Sequence, residues 1–434
     1  MNNIKIVYSW IGPKGPIMNT ELPNILCFAN VTTDVTVNSQ KFWADGLYHS
    51  VFLNTEPYQL ASTIDINEND TFIYPFTLAW RHSMTTYFTP FNGILEYSHT
   101  PDNIIHQVRT HKGYFLLEYA VEAFIRPDHL SLIHTYFKNY DIPLCKVIYI
   151  TGCMNALERY EVWCQQNGIP DTPKDRIKLV SYPTSRYNLA SHMLNNTEPN
   201  YNTEFVPDKL FLSWNRRFRP HRTILTLALD KLGIVDRSYF SMGRNDPEFG
   251  DQLFENNLWV NVYSHNMFNL TVEDLNKLLV KLPLIVDGKT EIHDMCIDSL
   301  SEARTFYQNS LISIVTETNF DLEEVTLTEK AFKPAKEKHP FILVGGQGSL
   351  KAMRDEGFMT FGQFWDESYD NITDWQQRLH KIIEIAEQIS KWNDEQIIDF
   401  KRKVQPILDY NYNVLKTSST KHVAEKIKNL IGNT

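Results

Sequence analysis

Cysteine is scarce in this chain: five residues in 434, namely Cys27, Cys145, Cys153, Cys164 and Cys296. An odd number without C-x-x-C spacing excludes a disulfide framework and a cysteine-based zinc site, and it implies buried free thiols. Long apolar runs are missing too. No stretch approaches the roughly 20 residues of a membrane span. The start, Met1-Asn2-Asn3-Ile4-Lys5-Ile6-Val7-Tyr8, lacks the apolar core of a secretory signal, so a cytoplasmic protein is expected. Positive charge is not in excess. A formal net charge of −10 argues against a general nucleic-acid binder, whose affinity rests on Lys and Arg neutralising phosphates; a local basic patch is the remaining route to such a partner. Neither a G-x-x-x-x-G-K-[ST] phosphate loop nor a G-x-S-x-G nucleophile turn occurs. No Asp-x-Asp pair stands out as a divalent-ion site. His293-Asp294 with Asp298 has no second histidine at metal spacing and reads as a helix face. The expected chemistry uses neither metal nor cofactor.

What is present is a globular composition, with 42% apolar and 22% charged residues. A chain of 434 residues exceeds the roughly 100–200 of a single domain, so two domains are expected. Aromatics at 13% suit sugar-stacking surfaces, but aromatic cores and ordinary surface tyrosines are the better explanation. Strand patterns at residues 4–10 and 146–150, the latter followed by a helical pattern at 155–165, place α/β units in the first half. Residues 30–110 hold short β-rich runs, including 71–80, whose topology the pattern leaves open. Prolines and asparagines crowd 183–208, which reads as a linker. Strands at 209–214, 311–316 and 340–344 then alternate with helices at 220–232 and 349–356, closed by Gly233 and Gly357. Such alternation implies a parallel sheet. The tail is helical, with a capping-box pattern at Thr373–Gln376, an apolar stripe from Trp375 to Ile389, and a further helix from about Asn393. The expected division is 1–200, 201–390, and 391–434 as helices bracing both domains.

Two segments carry chemistry. The first runs Ser213-Trp214-Asn215-Arg216-Arg217-Phe218-Arg219-Pro220-His221-Arg222. Pro220 suits the first position of a helix, whose free N–H groups and positive dipole end would then point the same way as the arginines. That makes Asn215, Arg216, Arg219 and Arg222 candidate ligands for a diphosphate; a solvated charge run is the plainer alternative. The second comprises Glu317-Thr318-Asn319, Thr328-Glu329-Lys330 with Lys333-Pro334, and the strand 340–344 ending in Gly345-Gly346-Gln347-Gly348. A carboxylate accepts well from ribose hydroxyls, and a departing diphosphate needs a cation. Adjacent Glu329 and Lys330 at a helix start supply both, although Glu329 and Lys333 also form an ordinary i,i+4 pair. Gly345 and Gly346 serve either as a structural turn or as backbone against a sugar.

In this order the elements resemble the donor-binding domain of GT-B glycosyltransferases, particularly the α-1,3-fucosyltransferase family. There a strand ends in Phe-Glu-Asn, a Thr-Glu-Lys follows, and a strand with Pro-Val leads into Gly. Glu317 and Asn319 match the first element, Thr328-Glu329-Lys330 the second, and residues 340–345 the third. The resemblance implies an α/β fold of two Rossmann-like domains facing a cleft. It implies a nucleotide-sugar donor, GDP-linked ahead of UDP-linked, a glycan or other hydroxyl acceptor, and inversion without metal. It assigns ribose to Glu329 and diphosphate to Lys330, with Arg216 or Arg219 joining. Thr318, inserted between Glu317 and Asn319, departs from the pattern. So does Lys333-Pro334, which should bend the helix, while Lys333 becomes an extra candidate phosphate ligand. A general base must come from elsewhere. Glu122 and then Glu118, just beyond the buried-strand pattern Tyr114-Phe115-Leu116-Leu117, are the candidates, unless the stretch is helical and both sit on a solvated face. Two rival readings remain: a viral-type DNA-base glycosyltransferase, and a non-catalytic nucleotide- or glycan-binding protein.

Overall fold

The computed structural model describes residues 4–8, 11–12, 15–16, 58–62, 69–77, 102–119, 125–193, 197–215, 219–243, 268–286, 300–419 and 421–432. The chain forms two compact units, Met1–Thr184 together with Ser419–Thr434, and Ser185–Ser418. Each is an α/β unit built on a parallel sheet, and the C-terminal region is helical. No described helix is long and apolar enough to cross a membrane.

In the first unit β1 (Ile4–Tyr8) is followed by a two-residue antiparallel pair, β2 (Ile11–Gly12) and β3 (Gly15–Pro16). The main sheet adds β4 (Tyr58–Ser62), β5 (Phe72–Thr77), β6 (Gly113–Tyr119), β7 (Val147–Thr151) and β8 (Lys178–Ser181) in the order β4-β1-β5-β6-β7-β8. Every pair in it is parallel. Parallel neighbours need crossovers, and α1 (Asp102–Thr110), α2 (Pro127–Asn139) and α3 (Ala156–Gln166) provide them after β5, β6 and β7. All five residues of β7 are buried, so it reads in sequence as one apolar run. Gly113 opens β6 because a Cβ there would lie 2.4 Å from the Phe72 ring and 2.8 Å from Val108.

The segment 183–208, marked by its prolines and asparagines as a linker, contains α4 (Thr184–Met193), whose Leu189, Ala190 and Met193 are buried. Three buried apolar side chains anchor a helix that its polar residues disguise. Beyond it, β9 (Lys209–Asn215), β10 (Tyr239–Met242), β11 (Ser310–Thr316) and β12 (Phe341–Val344) form the second sheet, order β10-β9-β11-β12, again all parallel. Helices α5 (Pro220–Lys231), α6 (Val272–Lys281), α7 (Leu300–Gln308), α8 (Glu329–Lys336) and α9 (Ser349–Asp355) belong to this unit. Both sheets are doubly wound and Rossmann-like, with winding that reverses between β1 and β5 and between β9 and β11.

Helices α10 (Trp375–Ile389) and α11 (Asp394–Lys416) follow, and α12 (Lys421–Gly432) belongs to the first unit, where Tyr114 Oη donates to Ile431 O at 3.1 Å. Along α10 the apolar stripe Leu379, Ile382, Ile383, Ala386 and Ile389 is buried, each large side chain contributing about 1.5–3 kcal/mol. Its cap differs from the sequence pattern. Asp374, not Thr373, accepts from Gln377 N–H at 2.8 Å, a carboxylate one residue closer to the helix. Asn393 caps α11 in a capping box with Gln396.

Candidate functional site

In doubly wound sheets ligands sit beyond the carboxyl ends of the strands where winding reverses. In the second unit that place lies between Asn215, the last residue of β9, and Thr316, the last of β11. Polar side chains fasten the two strand ends together. Fully buried Asn215 donates from its amide to Ser213 Oγ at 2.8 Å and accepts from the Thr316 hydroxyl. Arg222, also buried, donates from Nη2 to Thr316 O at 3.1 Å and Glu317 O at 3.3 Å. The structure thus commits both side chains to internal bonds.

Arg219 is the half-buried N-cap of α5, and Pro220 occupies the first helical position. Arg216 and Arg217 lie outside the described residues. His221 went unassigned from sequence, yet it is buried here. Its ring stacks on Phe320 with centroids 5.0 Å apart, and Nε2 lies 3.0 Å from Glu317 O. A carbonyl only accepts, so Nε2 carries the proton. Burial, with the Arg222 charge beside it, pushes the His221 pKa well below its ordinary value, and the ring stays neutral.

Glu317 follows β11 directly. Its side chain reaches across the loop that β11 feeds, accepting from Thr328 N–H at 2.9 Å and from the Thr328 hydroxyl at 2.7 Å. Burial raises its pKa, while the Lys330 charge and the Thr328 bonds pull the other way. Asn319 belongs to the same loop and donates to Thr326 Oγ1 at 3.3 Å. The result is that Thr328, N-cap of α8, is tied to the strand end, and its hydroxyl accepts from Lys330 N–H at 3.3 Å.

Glu329 and Lys330 stand in the first turn of α8, with Lys330 Nζ 2.9 Å from Glu329 Oε1 and 3.2 Å from Thr328 Oγ1. Both side chains keep some exposure, 32% and 26%. Burial alone would raise the Glu329 pKa, but the charges of Lys330 and Lys333 outweigh it and hold the carboxyl at about 2. Glu329 is therefore an anion across the neutral range. A partly exposed ion pair of this kind contributes little to stability, so exchanging its partner costs little. Lys333 is half-buried one turn on, ahead of Pro334, which lies inside α8 and leaves the Lys330 carbonyl without its i+4 amide donor.

The glycine turn after β12 is built by packing. A Cβ on Gly345 would lie 2.5 Å from Ser349 Oγ, and Gly346 O accepts from Ser349 Oγ at 2.7 Å. Gly348 takes φ +82, the left-handed region. Sequence reasoning did not find Asp370, which fills the N-terminus of α9: its two carboxylate oxygens accept from Leu350 N–H at 2.8 Å and Lys351 N–H at 2.9 Å. No local signal marks it, because the contact spans about twenty residues of chain. An internal carboxylate occupies the end of α9 where an anion would otherwise bind.

In the first unit Glu118 is the penultimate residue of β6, in register with Thr77 and Ile150, so this part of the stretch is strand and not helix. Glu122 lies outside the described residues, as do His293, Asp294 and Asp298. Among the described residues no group of three or more His, Cys, Asp or Glu side chains is gathered as a metal site.

No family model matches this chain, and no curated protein matches it. Among solved structures it is similar to an alpha,alpha-trehalose-phosphate synthase (UDP-forming) from Burkholderia vietnamiensis, with 9% sequence identity, 100% of each chain covered and a TM-score of 0.40.

Proposed function

We propose that this protein is a glycosyltransferase that moves a sugar from a nucleoside-diphosphate donor, GDP-linked ahead of UDP-linked, to a hydroxyl of a glycan acceptor, with inversion and without metal. One observation carries the reading. The buried Glu317 carboxylate clamps Thr328 to the end of β11, and this sets an ionised carboxylate and an ammonium side by side beside the switch point of the sheet. Glu329 accepts from the ribose hydroxyls. Lys330 exchanges its Glu329 contact for the diphosphate oxygens, which gain negative charge as the bond to the sugar breaks. Arg219, at the start of α5, and Arg216 before it are the further cations for this group. Asn215, Arg222 and Asn319 act by holding the strand ends and the loop.

In the transfer step the acceptor oxygen forms a bond to the anomeric carbon while the bond from that carbon to the diphosphate oxygen breaks. The acceptor proton passes to a carboxylate, for which Glu118 and Glu122 are the candidates. A variant lacking the base, Glu118→Gln or Glu122→Gln, keeps donor affinity and loses transfer.

Thermal shift tests the donor assignment, since a ligand bound only by the folded state raises apparent stability by mass action. GDP or UDP, or one of their sugars, raises the melting temperature, and EDTA leaves the rise unchanged. No shift with any of these at millimolar concentration would remove the donor site.

A further inference from the structure

A cavity of about 510 Å³ opens on the second unit where α10 gives way to α11. Phe364, Trp392 and Phe400 form its aromatic part. Phe400 is buried, with the rings of Phe364 and Trp392 at 4.9 and 5.1 Å from it, and those two are half-buried. Gln363, Gln396, Asp399 and Lys403 line the rest, and all four are exposed. The volume lies within the roughly 300–1,000 Å³ that small-molecule sites occupy.

This place is not the switch point described above but lies at the opposite end of the strands of the same sheet. Phe361 packs its ring 5.0 Å from Phe341, the first residue of β12, and Trp365 lies 5.4 Å beyond it and 6.0 Å from Phe400. Lys401 Nζ donates to Phe205 O at 2.5 Å, four residues before β9 begins. Arg237, two residues before β10, donates to Ser390 O at 3.2 Å. Three contacts thus fix the cavity at the amino ends of β9, β10 and β12. The glycine turn and Glu317 mark the carboxyl ends, a strand length of about 10 Å or more away.

The lining says what fits. Its two charges neutralise one another, with Lys403 Nζ 2.6 Å from Asp399 Oδ2, so neither a phosphate nor a cation finds an uncompensated partner. Rings beside amides and a paired carboxylate suit a neutral ligand with one apolar face and many hydroxyls. Gln396 is held in place, since its Oε1 accepts from Asn393 N–H at 3.0 Å, and its amide N–H groups are thereby set in direction. We propose that this cavity is a saccharide-binding site, separate from the donor site, in which Trp392 and Phe364 meet the C–H face of a sugar ring and Gln363, Gln396 and Asp399 meet its hydroxyls. The proposal stands whether or not the protein transfers sugars.

Saturation-transfer NMR on the full chain with cellotriose, maltotriose, mannotriose and chitotriose tests it. At least one trisaccharide receives saturation, Trp392→Ala abolishes the effect, and Gln363→Ala weakens affinity by roughly tenfold. Gln363 is exposed, so its truncation leaves the fold intact, and circular dichroism melting checks both variants. Lys330→Ala retains the effect and GDP does not displace the sugar. The proposal is overturned by no transfer from any of the four, by transfer that survives both substitutions, or by displacement with GDP. Nucleotide binding itself is measured separately, so failure here leaves the donor reading untouched.

Discussion

Glu317→Ala removes the carboxylate that ties Thr328 to the end of β11. Two hydrogen bonds are lost, 2.9 Å from the Thr328 amide and 2.7 Å from its hydroxyl, and bonds to a charged acceptor contribute about 1.5–3 kcal/mol each. Part of that sum is offset because an enclosed carboxylate is costly to keep, as its raised pKa shows. A net destabilisation of about 3 kcal/mol follows, or roughly 6–12 °C in the melting of a unit this size. Glu317→Gln keeps an acceptor for the amide and costs about 1 kcal/mol. A carboxyl with a raised folded pKa loses stability as pH rises from its unfolded value through the folded one. The wild type therefore exceeds Glu317→Gln most at low pH, and the gap narrows as pH climbs. Differential scanning calorimetry across pH 4–8, with nucleotide affinity measured on the same samples, reads all of this. A Glu317→Ala protein that melts with the wild type and binds nucleotide unchanged would refute the clamp.

Other consequences can be checked singly. Lys330→Ala leaves melting near the wild type, because its ion pair is partly exposed, but lowers kcat/KM by about 2–4 kcal/mol, read from donor turnover. Glu329, held at about 2, contributes stability that is full above its unfolded value of about 4.3 and is lost as pH falls toward 2. Glu329→Gln therefore flattens the acid limb of a stability–pH curve, by about 1 kcal/mol once the shift is discounted for a side chain that is 32% exposed. Asp370→Ala leaves two amides of α9, the buried one of Leu350 and the part-buried one of Lys351, without their acceptor and costs about 2–4 kcal/mol by urea denaturation, whereas Asp370→Asn retains part of the cap.

The parts that sequence made legible are those with a local pattern. Strands β7, β9, β11 and β12 are runs in which apolar residues predominate because they are largely buried, and α5 begins at the proline and stops before the glycine that mark its ends. Thr328 at a helix start was legible for the same reason. What sequence hid is tertiary. His221 takes its neutral state from burial against a ring about a hundred residues away, and Arg378 is buried against the carbonyls of Phe320, Ile372 and Thr373. Arg222 looks in sequence like one more phosphate ligand. Only the fold reveals that its guanidinium is turned inward onto Thr316 and Glu317. The α4 helix was obscured by polar neighbours, and the α10 cap moved one residue because Thr373 and Asp374 offer the same chemistry.

A crystal structure of the protein soaked with GDP and, separately, UDP tests the donor site most directly. The proposal places diphosphate oxygens within hydrogen-bond reach of Lys330 Nζ and the ribose hydroxyls on the Glu329 carboxylate, with Thr328 still bound by Glu317. Nucleotide bound away from the α8 N-terminus, or seated there with Glu329 and Lys330 still paired to each other and touching neither ribose nor phosphate, would contradict it.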